Sequence, residues 1–169
     1  RRLTVGIDIS GPFTENILEL RFPRWVPGSY FIREPIQHMS ELSATIDGEN
    51  SKITRIDVDG AKLSGVQGAK SVSISYRLLA AEMTCRANHL DSTHVHIMPP
   101  YTWMLPTRGI DKNRIEMDHK VILKAPSDWH TATQLKGVEG EWVAEGRDEF
   151  LDPLILIFPS IFSIDGNEE

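Results

Sequence analysis

The stretch His89-Leu90-Asp91-Ser92-Thr93-His94-Val95-His96 carries the side chains most able to do chemistry. His94 and His96 are two residues apart. On an extended strand that spacing puts both imidazoles on one face, about 7 Å apart. Such a pair binds a metal when a third ligand converges, and His89 and Asp91 are the nearby candidates. The same spacing also describes two polar, partly exposed strand residues. The residues alone favour that plainer reading, so no metal ligand and no catalytic residue is assigned.

Two further stretches stand out. Pro99-Pro100-Tyr101-Thr102-Trp103 is a stiff aromatic loop, whose Tyr101 and Trp103 either enter the core or line a groove against another domain. Trp25-Val26-Pro27-Gly28-Ser29-Tyr30 reads as a rigid corner. Pro27 fixes φ and Gly28 tolerates positive φ, so the pair builds a tight turn. Ser29 is placed to cap a short helical turn over Tyr30 to Glu34, which Pro35 ends. Arg33 is expected to satisfy a carboxylate or backbone carbonyls.

Absent motifs narrow the chemistry. None of the six histidines is followed by glutamate, so no His-Glu-x-x-His zinc helix is present. There is no Gly-x-Ser-x-Gly elbow, phosphate-binding glycine loop or Cys-x-x-Cys pair. The single cysteine, Cys85, rules out an intrachain disulfide and is expected to be a small core residue. Carboxylates are numerous, but nothing in the sequence pairs them into a dyad.

The elements that must position these residues are strands. Apolar residues alternate with a period of two at Leu3 to Ile9, Leu18 to Phe22, Leu42 to Ile46, Val72 to Leu78 and Ile115 to Leu123. Leu154 to Ile164 is nearly continuously apolar and reads as a buried strand bent at Pro159. Turn signals such as Ser10-Gly11-Pro12, Asp47-Gly48 and Asp59-Gly60 punctuate the runs. No segment keeps a helical period across three turns; Arg147 to Leu151 suits one short turn. The pattern predicts an all-β, antiparallel sandwich-like domain with one or two short helical turns.

Composition fits a single domain. The 169 residues are 40% hydrophobic and 25% charged, with a net charge of −6. Scattered Lys and Arg argue against a nucleic-acid partner. No apolar run reaches the roughly 18 residues of a membrane span. A soluble protein is expected; a lone cysteine suits a reducing, cytoplasmic setting, with the periplasm left open. The first residue is Arg1, and no leader-like segment opens the chain, so it is expected to begin inside a longer gene product or after processing.

These residues also carry a resemblance. Leu20-Arg21-Phe22-Pro23-Arg24-Trp25-Val26-Pro27-Gly28-Ser29-Tyr30-Phe31-Ile32-Arg33-Glu34 resembles the Pro-x-Trp-x-Pro-Gly-Ser-Tyr-x-Ile-Arg-acidic signature of the glycyl aminopeptidase family, metallopeptidase family sixty-one. Ser75 to Ala80, then Arg86 and Leu90-Asp91, are similar to that family's following segments. So are Pro126-Ser127-Asp128-Trp129 with Ala132-Thr133, and Arg147 to Pro153. The usual serine between Asp152 and Pro153 is missing, and the family tends to carry another strand before Leu3.

The resemblance implies the N-terminal β domain of a larger zinc aminopeptidase. The zinc and its His-Glu-x-x-His motif are expected in a thermolysin-like catalytic domain beyond this chain, with no cofactor here. The implied partners are that catalytic domain, in the same polypeptide, and the parent enzyme's peptide substrate. In related gluzincin aminopeptidases a loop of the N-terminal domain helps hold the substrate amine. By that analogy His94, His96, Tyr101 and Trp103 are candidate cleft or interdomain contacts, with Tyr101 or Trp103 exposed. Trp25, Pro27, Gly28, Ser29, Tyr30 and Arg33 form the structural motif. Two other readings stand beside this one. A free-standing binding module for peptide or carbohydrate would need Trp25, Trp103, Trp129 and Trp142 facing solvent. An enzyme built on His94, His96 and a carboxylate is the less favoured third.

Overall fold

The structure, a computed structural model, describes residues 1–24, 31–32, 34–108, 113–114 and 117–159. Strands are numbered in chain order and fall into four antiparallel sheets. The first runs β1 (Arg2–Ser10), β7 (Ser71–Leu79), β3 (Met39–Ile46), β4 (Glu49–Ser51). The second runs β11 (Asn113–Arg114), β10 (Leu105–Arg108), β2 (Ile17–Arg21), β6 (Gly60–Ser64), β5 (Ile53–Ile56). The third is β12 (His119–Ile122), β15 (Glu141–Ala144), β14 (Lys136–Val138). The fourth is β13 (His130–Thr133), β16 (Ile155–Phe158), β9 (Val95–Ile97), β8 (His89–Leu90). Among the described residues the α-helix is the short α1 (Gly146–Leu151).

The alternation decides which faces meet. Val72, Ile74, Tyr76 and Leu78 of β7 are buried, while the residues between them are not fully so. Each such side chain contributes roughly 1.5–3 kcal/mol on leaving water. They meet Leu18 and Leu20 of β2 and Ala61 and Leu63 of β6, which closes a first core between the first two sheets. Val95, Ile97, Ile155 and Ile157 of the fourth sheet face Val121, Trp142 and Ala144 of the third. With Phe150 and Leu151 of α1 they make a second core. Leu3 and Trp103 pack against both cores. Where Asp47-Gly48 joins β3 to β4, φ is +48° and +86°, the two left-handed residues of a tight hairpin.

Some expectations change. Pro35 does not simply end a helical turn; it opens a 3₁₀ turn over Pro35–His38, where its missing N–H costs nothing. The turn expected over Tyr30 to Glu34 lies partly outside the described residues, as does the end of the apolar run to Ile164. Cys85 is exposed rather than core, because its segment joins β7 to β8 through irregular backbone.

Candidate functional site

Asp91 sits at the tip of the β8–β9 hairpin, where Leu90 pairs with Val95 and His89 with His96. Its Oδ1 accepts from the Thr93 N–H at 2.7 Å, the Thr93 hydroxyl at 2.7 Å and the His94 N–H at 3.1 Å. This is a side chain closing its own turn. Its Oδ2 accepts from His89 Nε2 at 3.0 Å. The His89 bond first, then those from Thr93 and His94, hold the Asp91 carboxyl well below the usual carboxylate range.

His89 and His94 flank that carboxylate, and His96 stands opposite His89 in the strand register. His89 is 2% exposed, and its ring lies 5.0 Å from that of His94. His94 Nδ1 is 3.6 Å from Asp91 Oδ1 and 2.9 Å from the Thr93 hydroxyl. His96 is buried, and desolvation followed by the proximity of His94 lowers its affinity for a proton. The structure therefore gathers His89, Asp91 and His94 so that one ligand atom from each lies within 4.8 Å of the others. The sequence suggested these residues; what it could not supply was the turn that brings His89 back against His94.

The loop after the hairpin is internal. Pro99–Tyr101 forms a 3₁₀ turn in which all three residues are buried. Asn88 holds it from below: Oδ1 accepts from Met98 N–H at 2.9 Å and Thr102 Oγ1 at 3.0 Å, while Nδ2 donates to Tyr101 O at 3.2 Å. Tyr76 holds it from β7, its hydroxyl donating to Thr102 O at 2.7 Å and accepting from Met104 N–H at 3.2 Å. The expected exposure is thus corrected at Tyr101. Tyr101 is 8% exposed, and partly buried Trp103 packs against Phe150 with the rings tilted and their centroids 5.5 Å apart. Asn88 gives the physical reason: it satisfies backbone groups that a loop would otherwise turn to water. Of the four proposed contacts His96 and Tyr101 are buried, while His94 and Trp103 are partly exposed.

Trp25, Pro27, Gly28, Ser29, Tyr30 and Arg33 lie outside the described residues. The strand leading into them is anchored by Asp59, which the sequence offered only as a turn residue. Asp59 Oδ1 takes Arg21 Nη1 at 2.6 Å and Oδ2 takes Arg24 Nε at 2.5 Å. The remaining tryptophans do not make a surface platform. Trp142 is buried, and Trp103 and Trp129 pack against the second core. The free-standing module loses the aromatic patch it requires among the described residues.

The Peptidase M61 N-terminal domain family matches residues 1–156. The chain belongs to this family. The match takes in the whole signature from Leu20 to Glu34, together with the histidine hairpin. Among solved structures, this M61 N-terminal domain is similar to an aminopeptidase N family protein from Idiomarina loihiensis, with a TM-score of 0.81 and 23% identity. The likeness covers 98% of this chain and 29% of that one, so the chain spans less than a third of its neighbour's length. At that identity the likeness is one of fold. No curated protein matches the chain. No helix among the described residues is long and apolar enough to cross a membrane.

Proposed function

We propose that this chain is a non-catalytic N-terminal accessory domain of a zinc-dependent aminopeptidase of the glycyl aminopeptidase type. It packs on a catalytic domain of the same polypeptide and shapes one side of the peptide-binding cleft. The observation that carries this reading is the family match over residues 1–156, alongside a solved neighbour more than three times as long. The zinc that hydrolyses peptides in such an enzyme has no ligand set here, because no His-Glu-x-x-His occurs in the sequence. With Tyr101 turned inward, the cleft-facing role falls to surface beside His94 and to the exposed Phe31 and Ile32 at the end of the signature.

The test is enzymatic. The purified chain, with or without added zinc, is expected to leave glycyl and alanyl amides intact. The full-length gene product is expected to cleave them and to encode His-Glu-x-x-His after residue 169. Zinc-dependent cleavage by the chain alone, abolished by His94→Ala, overturns the reading.

A further inference from the structure

We infer that the β8–β9 hairpin binds a divalent cation of the zinc type through His89 Nε2, a carboxylate oxygen of Asp91 and His94 Nδ1. The site goes beyond the accessory role and does not depend on it. Ligands at ordinary zinc distances in a tetrahedron stand about 3.4 Å apart. His89 Nε2 is 3.0 Å from Asp91 Oδ2, and His94 Nδ1 is 3.6 Å from Asp91 Oδ1. All three donor atoms lie within 4.8 Å of one another, so a small rotation of the half-exposed His94 closes the set. Two imidazole nitrogens and one carboxylate oxygen suit a borderline cation rather than calcium or magnesium.

The surroundings of Asp91 point the same way. The ion-pair partners of Asp91 among the described residues are His89 and His94, with no lysine or arginine.

His96 adds an independent observation. It stands opposite His89 in the register and is 8% exposed. Its Nε2 is buried without a hydrogen-bond partner among the described residues. Buried polar atoms are normally paired, and a bound ligand is one way to pair such a nitrogen. One feature works against tight binding. When His89 Nε2 takes a metal, the proton moves to Nδ1, which is buried without a partner. The site is therefore one of moderate affinity.

Zn²⁺ titrated calorimetrically into the metal-free chain is expected to bind at one equivalent. His94→Ala, at a half-exposed position that leaves the cores untouched, should weaken binding at least tenfold. His130→Ala, an exposed histidine on β13, should leave it unchanged. Co²⁺ bound to the unaltered chain should give the intense visible absorption of a four-coordinate site, a readout that needs no variant. Absence of saturable one-equivalent binding overturns the inference. So does binding that survives His94→Ala undiminished, which would place the ion elsewhere.

Discussion

At Asp59 burial and pairing pull in opposite directions. Burial favours the neutral acid, but hydrogen bonds from Arg24 and Arg21 outweigh it, and the carboxyl titrates below its ordinary value. A carboxyl whose folded-state pKa is depressed stabilises the fold above the unfolded value, near pH 4, and loses that contribution as pH falls through the folded value. Asp59→Asn leaves Arg21 with Glu19 at 3.4 Å and Asp57 at 3.6 Å. Those remaining partners put the expected cost at neutral pH near the lower end for a broken buried pair, about 3 kcal/mol. Denaturant melts at neutral and acidic pH check this: the gap between the two proteins should shrink as pH falls below 4. The arginines were legible as part of the signature. Asp59 was not, because pairing across sheet neighbours 38 residues apart leaves no local trace.

At the scale of the element, long alternating strands were legible and short ones were not. β1 and β7 pair over nine residues and show a clean period of two. β8 and β9, of two and three residues, are too short to display a period. The burial pattern of β9 is continuous, because its neighbours cover both faces. The loop of Tyr101 was misread for a related reason: composition said aromatic and proline-rich, while the deciding partners, Asn88 and Tyr76, sit on other elements. Tyr76→Phe tests that loop. It keeps the ring against Phe22, 5.9 Å away, and removes the hydroxyl that serves Thr102 and Met104. Unpaired groups in a core cost roughly 1–3 kcal/mol, so a thermal melt should show a loss in that range. An unchanged melt would mean the loop is held without Tyr76.

At the scale of the molecule, Leu3 and Trp103 are the residues common to both cores. The sandwich class was legible from strand spacing. The division into two cores was not, because nothing in the apolar pattern marks which sheets face each other. Trp103→Ala is expected to cost about 3 kcal/mol and to uncouple the cores. The calorimetric enthalpy of unfolding should then exceed the van't Hoff value, where the unaltered chain gives agreement. Agreement in the variant would show that the cores are coupled through other contacts. The same arrangement bears on biosynthesis. The first core draws its buried members from Val5 to Met104, the second from Val95 to Ile157. On a ribosome the parts of the first core are complete while β12 to β16 are still to be made. Domains emerging N-terminus first tend to fold in that order. Trp103 enters at the end of the first batch with one flank covered and the other waiting. The nascent chain thus carries an exposed indole face until Phe150 arrives to close it, and a pause in translation between these two residues is the interval in which the chain is most open to unwanted association.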